Sequence, residues 1–384
     1  MHRLSVLLMM TAVAGLLALG IVMLASTGEF AQDAHGRPYF FLKHQLMWLG
    51  LGMVGCAVMA NIDYRQLVKK WVWVYVISAV LLLCCFAPGI GAKINGSHRW
   101  IRLGFATFQP SELAKAASIL ALAWWLSQER DLEKQFLRGF VLPLLVVGGL
   151  MGLIICEVDV GSTVLIGGTA MCMLFVSGSP WKFIGGLTAL GVIAVASAIS
   201  MMPERLGRFL AFMNPEKYPA DAYQTQQGLI ALGSGGMSGL GLGNGRQKLL
   251  YLPYAHTDFI FPMVGEELGL VGTLGVIIAY ILFMLGGVSI AMKARDRAGL
   301  LTGMGIVMLI SLQALVNLGV TTELLPNKGL PLPFISYGGS NLAFCLLGVG
   351  VLINIYRQGV SEREEEQMQQ LEMALQAEKR VVRL

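Results

Sequence analysis

The sequence predicts an all-α polytopic membrane protein of about ten transmembrane helices, with a large extracytoplasmic loop between the seventh and the eighth. Composition and run length carry that prediction. Of 384 residues 55% are hydrophobic and only 13% charged, with a mean hydropathy of +0.67. Apolar runs of roughly 17–25 residues recur along the chain, the length needed to cross about 30 Å of hydrocarbon. The 47 glycines supply the small residues that let membrane helices approach closely. The net charge of +5 is spread over many loops, which suits an anionic membrane surface. No basic patch interleaved with aromatics is present to read nucleic acid.

The first run, 4–25, follows His2 and Arg3 and superficially resembles a signal peptide. It is too long for an ordinary signal core and lacks a cleavage site, so it reads as a retained span. Further spans are expected at 42–60, 71–87, 110–127, 139–156, 161–178, 182–200, 262–290, 299–318 and 337–356. Only Glu157 to Gly161 separates the fifth from the sixth. Basic connectors at 61–70 (Arg65, Lys69, Lys70), 128–138 (Arg130, Lys134, Arg138) and 291–298 (Lys293, Arg295, Arg297) are expected inside, with both termini cytoplasmic. Lys93, Arg99 and Arg102 in the outer loop 88–109 run against that bias. Loops 88–109, 201–261 and 319–336 then face out. The 201–261 loop holds two amphipathic pieces, Arg205 to Met213 and Tyr223 to Leu232. Residues 1–356 form the membrane domain. Residues 357–384 form a charged cytoplasmic tail whose Met368, Leu371 and Leu375 make a helical stripe. The cysteines at 56, 84, 85, 156, 172 and 345 fall in or beside apolar runs without zinc or Cys-x-x-Cys spacing, and read as packing residues.

Ionisable residues beside such spans are the candidates for chemistry. Asp258 sits in Tyr251-Leu-Pro-Tyr-Ala-His-Thr-Asp-Phe-Ile-Phe261, where a helix begins and Thr257 can cap it. Unpaired N–H groups there favour its anion and desolvation opposes it, a combination suited to taking a proton from a sugar hydroxyl. A simple helix-start charge, or a partner for a nearby Arg, explains it as well. His256 either tunes Asp258 or satisfies loop carbonyls. Glu112 and Lys115 share a helix face behind Pro110, as a plain ion pair or, with Arg99, Trp100 and Arg102, as a headgroup site. The segment Gly233 to Gly245 lacks a Gly-Lys-Ser/Thr ending and no strand precedes it, so neither a P-loop nor a dinucleotide fingerprint is present. It either offers N–H groups to an anion, with Arg246 and Lys248 following, or serves packing. Pro326 to Ser340 breaks the helix where backbone must line a cavity or be buried in protein, and Glu323, Lys328, Ser336 and Tyr337 add polarity there. Asp159 and Glu267 are the candidates from the acidic pairs Glu157/Asp159 and Glu266/Glu267. No zinc, Ser–His–Asp or redox-cofactor pattern is visible. These residues fit an enzyme acting on a lipid-linked substrate, and equally a transporter.

Several motifs resemble the shape–elongation–division–sporulation (SEDS) family of bacterial cell-wall polymerases, which includes FtsW and RodA. They are Asn95-Gly-Ser-His-Arg-Trp-Ile101, Phe108-Gln-Pro-Ser-Glu-Leu-Ala-Lys115, Tyr223-Gln through Ala231-Leu-Gly-Ser-Gly-Gly236, the Asp258 motif with Glu266-Glu267-Leu-Gly269, and Leu332-Pro-Phe-Ile-Ser-Tyr-Gly-Gly-Ser340. The resemblance covers about residues 10–357. It implies an inverting peptidoglycan glycosyltransferase that polymerises lipid II on the outer face of the bacterial cytoplasmic membrane and releases undecaprenyl diphosphate. It further implies a class B penicillin-binding protein and other divisome or elongasome membrane proteins as partners, no organic cofactor, and a divalent cation (Mg or Mn) at a site the sequence does not reveal. Asp258 matches the family's acid–base position. Arg99, Trp100, Glu112, Lys115, Asp159, Arg246, Lys248, His256, Glu267 and Ser340 are the expected substrate-side residues. A flippase for the same precursor, or a non-catalytic division scaffold, are the alternatives. Asn214-Pro-Glu and Gln247-Lys248 look more like the division branch than the rod-shape branch, with septal or side-wall synthesis both open. Leu250, Tyr254, Glu157-Val158 (for the usual Gln-Pro) and Asn341 depart from the usual pattern.

Overall fold

The structure, a computed structural model, describes residues 2–27, 39–94, 97–102, 107–128, 135–249, 252–253 and 255–381. Helices lie at α1 (His2–Thr27), α2 (Phe40–Asn61), α3 (Tyr64–Lys69), α4 (Trp71–Cys84), α5 (Pro110–Ser127), α6 (Leu142–Cys156, behind a π-helical turn at Phe136–Val141), α7 (Val160–Ser177) and α8 (Trp181–Ser200). They continue with α9 (Pro203–Met213), α10 (Pro219–Ser234), α11 (Ile260–Met292), α12 (Arg297–Thr321) and α13 (Gly339–Val381). Both amphipathic pieces of the 201–261 loop are helices, α9 and α10. The backbone of α13 stays helical from its membrane span into the tail as far as Val381, whereas the side chains of Met368, Leu371 and Leu375 lie outside those described.

One expectation is corrected. Each of the ten predicted spans is a helix, but among the described residues seven, not ten, are long and apolar enough to cross a membrane. α4 has 14 residues, about 21 Å of helix. α5 has 18 residues but opens with Pro110, Ser111, Glu112 and Lys115, all buried. A helix enclosed by others can carry polar residues that a lipid-facing one cannot. The loop 88–109, for which the sequence suggested no regular structure, contains a three-stranded antiparallel sheet: β1 (Gly91–Ile94), β2 (Ser97–Arg102) and β3 (Thr107–Phe108). Strands of four, six and two residues are too short to leave a periodic signal.

α12 is the helix that both halves share. Its Val307, Ile310, Ala314 and Val320 pack in one apolar core with α1, α2, α11 and α13. Its Leu301 belongs to a second core with α4, α5, α6 and α7. Glycines set the closest crossings: a Cβ at Gly286 of α11 would lie 2.7 Å from the Ser5 carbonyl of α1. At one end of the bundle Asp296 caps α12 through the Gly299 N–H at 2.6 Å and accepts from Tyr64 Oη (2.9 Å) and Arg65 Nε (2.6 Å). The start of α1 (Ser5 to Ser289, 2.8 Å) and Asn354 of α13 (Nδ2 to the Ala60 carbonyl, 3.1 Å) lie at that same end. The candidate site residues occupy the other.

At that other end α11 kinks at Gly269 (φ 66°, ψ −161°), and the glycine-rich segment is spliced into the break. Leu270 and Val271 donate to the carbonyls of Gly236 (2.9 Å) and Met237 (3.3 Å) instead of to their own helix. The carbonyls of Glu266 and Glu267 are taken in turn by the N–H groups of Leu240 and Gly241, each at 3.0 Å. A side chain at Gly239 (φ 79°) or Gly235 would strike the α11 backbone. The glycines therefore serve close backbone packing, the second of the two sequence readings. Gly269→Ala places a Cβ both in a disfavoured φ region and against Gly239 and Met237. It should destabilise the detergent-solubilised protein by about 2 kcal/mol or more, seen as a lowered Tm with α10–α11 the first region to exchange amide hydrogen.

Candidate active site

Asp258 lies in the turn that leads into α11 and is half-buried. Its Oδ1 accepts from Thr257 Oγ1 at 2.6 Å, and its carbonyl accepts from Asn317 Nδ2 at 2.8 Å. Burial raises its pKa above the usual aspartate range, and the Thr257 hydroxyl, its own backbone and the Arg208 charge offset this only in part. The carboxylate is thus a stronger base than an exposed one. On its open side is Gly329, where a Cβ would come within 2.8 Å of Asp258 Oδ2. A small cleft between α9, α10 and the start of the broken segment is lined by Arg208, Asp221, Thr225, Glu323 and Asn327, and Arg208 links it electrostatically to Asp258. The His256 ring stacks on Phe41 (centroids 4.1 Å apart) and its carbonyl accepts the Tyr337 N–H at 2.9 Å. Burial lowers the His256 pKa to about 4, so the ring is neutral at physiological pH.

The turn past Gly329 leads to a group of cations. Arg99 from β2 donates to the Val158 carbonyl at 2.6 Å and stands 4.0 Å from Asp159 Oδ1. Arg205 from α9 donates to the same carbonyl. Lys328 lies over Gly161 at the start of α7. Asp159 caps that helix, accepting from the Ser162 N–H (3.1 Å) and Oγ (2.7 Å). Burial pushes its pKa up, but Arg99, the Ser162 bonds and Lys328 together outweigh this and hold it below the ordinary value. Burial lowers the Lys328 pKa to about 8, with Asp159 opposing the shift and Arg205 and Arg99 adding to it. Three cations and one ionised carboxylate leave net positive charge around the start of α7, and Arg208 is the cation that acts on Asp258 itself.

The remaining candidates are built into the bundle. Lys115 Nζ bonds Glu112 Oε1 (2.8 Å) and Gln313 Oε1 (3.2 Å), and Asn341 Nδ2 bonds Glu112 Oε2 (3.1 Å). With Glu112 5% and Lys115 2% exposed, this is a closed ion pair, apart from Arg99. Lys248 and Glu267 form a second, at 2.7 Å, completed by Ser26 Oγ and the Gly243 N–H. Glu266 accepts from the N–H groups of Arg246 (2.7 Å) and Gln247 (3.2 Å), while the Arg246 side chain is exposed. Ser340 Oγ, accepting the Gln109 N–H at 3.1 Å, joins α13 to the start of α5. Trp100 is half-buried opposite Ala92 in the sheet. Asn95, Gly96 and Tyr251 of the sequence motifs lie outside the described residues.

Residues 7–360 match the family model of FtsW, RodA and SpoVE, described as cell cycle protein. The chain belongs to that family. A probable peptidoglycan glycosyltransferase FtsW of Geobacter sp. (strain M18) is 39% identical over 91% of this chain and 95% of its own length. Stage V sporulation protein E of Bacillus subtilis (strain 168) is 36% identical over 89% and 94%. Among solved structures, a chain from a peptidoglycan synthase complex that coordinates polymerization and crosslinking has a TM-score of 0.75 at 29% identity, with 91% of this chain and 97% of that one covered. The rod shape determining protein RodA of Thermus thermophilus has a TM-score of 0.66 at 29% identity, covering 91% and 95%. The protein is therefore of the SEDS family and the FtsW/RodA type, closely related to FtsW, and its family is one of membrane-embedded peptidoglycan glycosyltransferases.

Two departures from the FtsW pattern have visible consequences, while Leu250 and Tyr254 lie outside the described residues. Val158 adopts φ 65°, a conformation closed to the proline usual there, and turns its carbonyl to Arg99 and Arg205. Glu157 before it is 1% exposed, and burial drives its pKa to about 8, only partly offset by the Cys85 thiol. Asn341 is the donor that binds Glu112 to Gln313 Oε1 (3.3 Å). Sequence reasoning passed over Arg205, Arg208 and Asn317 as site residues. Gln313 and Asn317, four apart on an apolar helix, were the available signal for the last. Lys115→Met should cost about 3–5 kcal/mol by leaving Glu112 charged and buried. Adding Glu112→Gln should recover most of it, read as Tm in detergent.

Proposed function

We propose that the protein polymerises lipid II into β-1,4-linked glycan at the outer face of the bacterial cytoplasmic membrane, with Asp258 as general base. The observation that carries this reading is a half-buried Asp258 carboxylate packed against Gly329, the residue that follows Lys328, with the Lys328, Arg99 and Arg205 cations gathered around Asp159 and Val158 on the far side of that turn. The 4-hydroxyl of the incoming N-acetylglucosamine loses its proton to Asp258 as its oxygen attacks the anomeric carbon of the growing strand. The bond from that carbon to the diphosphate breaks, and the diphosphate leaves on undecaprenol with the electron pair. Attack from the opposite face turns the α-linked donor into a β-linked product. The leaving group needs charge neutralisation more than protonation, and the three cations supply it in a poorly hydrated cleft. Arg99 keeps the role expected for it. Lys115 and Lys248, closed in ion pairs, support the bundle that presents the cleft.

Lipid-exposed helix faces leave room for both polyprenyl tails beside the outer loops. Kinship with FtsW supports a division role, and likeness to a chain of a peptidoglycan synthase complex supports a class B penicillin-binding protein as partner. Among the described residues no three His, Cys, Asp or Glu side chains converge to hold a metal ion, and no step is assigned to one.

Reconstituted with lipid II and a transpeptidase partner, Asp258→Ala and Asp258→Asn should each slow polymerisation by about 10²–10⁴-fold. Normal rates from folded variants would discard the base assignment. A base with a raised pKa must lose its charge at a higher pH than an exposed aspartate, so the acid limb of the rate profile should lie above about pH 4. Lys328 loses its positive charge as pH rises through about 8, which should give a falling alkaline limb there. Lys328→Arg should move that limb upward; a limb that stays in place would remove Lys328 from the mechanism.

A further inference from the structure

Asn317 is a buried polar residue that the chemistry above does not use. It lies on α12 one turn beyond Gln313 and is 1% exposed. Its Nδ2 donates to the Asp258 carbonyl at 2.8 Å and to the Leu330 carbonyl at 2.7 Å. An amide nitrogen carries two hydrogens, so both are engaged, one on each of two segments far apart in the sequence.

Each carbonyl has a specific need for that donor. Asp258 precedes the Phe259 cap of α11, so its carbonyl accepts no helical bond, and Pro262 four residues on has no N–H to offer. Asn317 supplies the missing hydrogen. Leu330 closes a three-residue turn through its N–H to the Lys328 carbonyl (3.0 Å), and Gly329 within that turn is what abuts Asp258 Oδ2. The same amide thus holds the residue that carries the carboxylate and the end of the turn that carries the Lys328 ammonium.

We propose that Asn317 is a positioning residue that fixes the Asp258 carboxylate relative to Lys328 and so sets the catalytic geometry; this rests on Asp258 being the base. Without both bonds the turn at Gly329 and the start of α11 move independently. The distance between base and leaving-group cation is then no longer held. Misplacement of about 1 Å is enough to cost roughly 100-fold in rate without weakening ground-state binding. A residue that merely stabilises the bundle would lower the amount of folded protein and leave the kcat of the folded fraction unchanged.

The test uses the full-length protein in proteoliposomes with fluorescent lipid II, comparing Asn317→Leu (similar volume, no donor) and Asn317→Ser (one donor) with Asp258→Asn. Rates are normalised to folded protein. The expected result is a kcat lowered about 100-fold in the leucine variant and about 10-fold in the serine variant, with KM within about threefold of wild type. Wild-type kcat in either folded variant, or a loss confined to KM, overturns the inference. If the leucine variant does not fold, the serine variant decides by the same criterion. An inactive Asp258→Asn beside unimpaired Asn317 variants sinks this inference alone, whereas an active Asp258→Asn sinks the base assignment and this inference together.

Discussion

The non-helical backbone between α12 and α13 runs among membrane helices, where an unpaired carbonyl costs several kcal/mol. Much of the bundle is arranged to satisfy it. Asn317 and Gln313 of α12 donate to the carbonyls of Leu330 and Pro331, at 2.7 and 2.8 Å. Tyr280 of α11 donates to that of Pro333, and Gln45 of α2 to that of Ser336 at 3.0 Å. Ser336 Oγ accepts the Leu332 N–H at 2.8 Å, and the Leu332 carbonyl takes the N–H groups of Ile335 and Ser336. Three helices from both ends of the sequence therefore converge on one broken segment. That convergence fixes the turn at Gly329 that faces Asp258.

The break in α11 solves the same problem by another route. Leaving the helical path at Gly269 exposes the carbonyls and N–H groups of one turn, and the glycine-rich segment supplies their partners. Only glycine lets two backbones come that close. The carboxylates of Glu266 and Glu267 extend the attachment by accepting the N–H groups of Arg246, Gln247 and Gly243, and Lys248 neutralises Glu267. In sequence this strap precedes Asp258 by only ten residues, from Lys248. The residue proposed as base is thus anchored on one side by the strap and on the other by α12.

The sequence made the helical architecture legible because membrane spans announce themselves by length and hydropathy. It could not separate a lipid-facing span from an enclosed helix such as α5, since burial of Glu112 and Lys115 depends on α12 and α13, which lie far along the chain. The short sheet at 91–108 was hidden for a related reason: its strands are stabilised by one another and not by any periodic pattern. Asp258 stood out as a carboxylate beside an apolar run. Its neighbours did not, because Arg208 and Asn317 meet it only through the folding of α9 and α12. The glycine-rich segment was ambiguous between anion binding and packing, and the close backbone contact of Gly235 and Gly239 with α11 distinguishes them.

The division of labour among the cations follows from dielectric and access. Lys115 and Lys248 are 2% and 6% exposed, each matched by a carboxylate at 2.8 or 2.7 Å. Opening such a pair to receive a phosphate would leave a carboxylate charged in a medium that solvates it poorly, a cost of several kcal/mol that a diphosphate would have to overcome. Arg99, Arg205 and Lys328 face a different balance. Arg99 and Lys328 share the one carboxylate of Asp159, and Arg99 and Arg205 both donate to the carbonyl of Val158, reaching them from β2, the broken segment and α9. The positive φ of Val158 is what turns that carbonyl towards the two arginines. A strained residue beside the site thus holds the cations ready, while the buried pairs keep the surrounding helices from shifting.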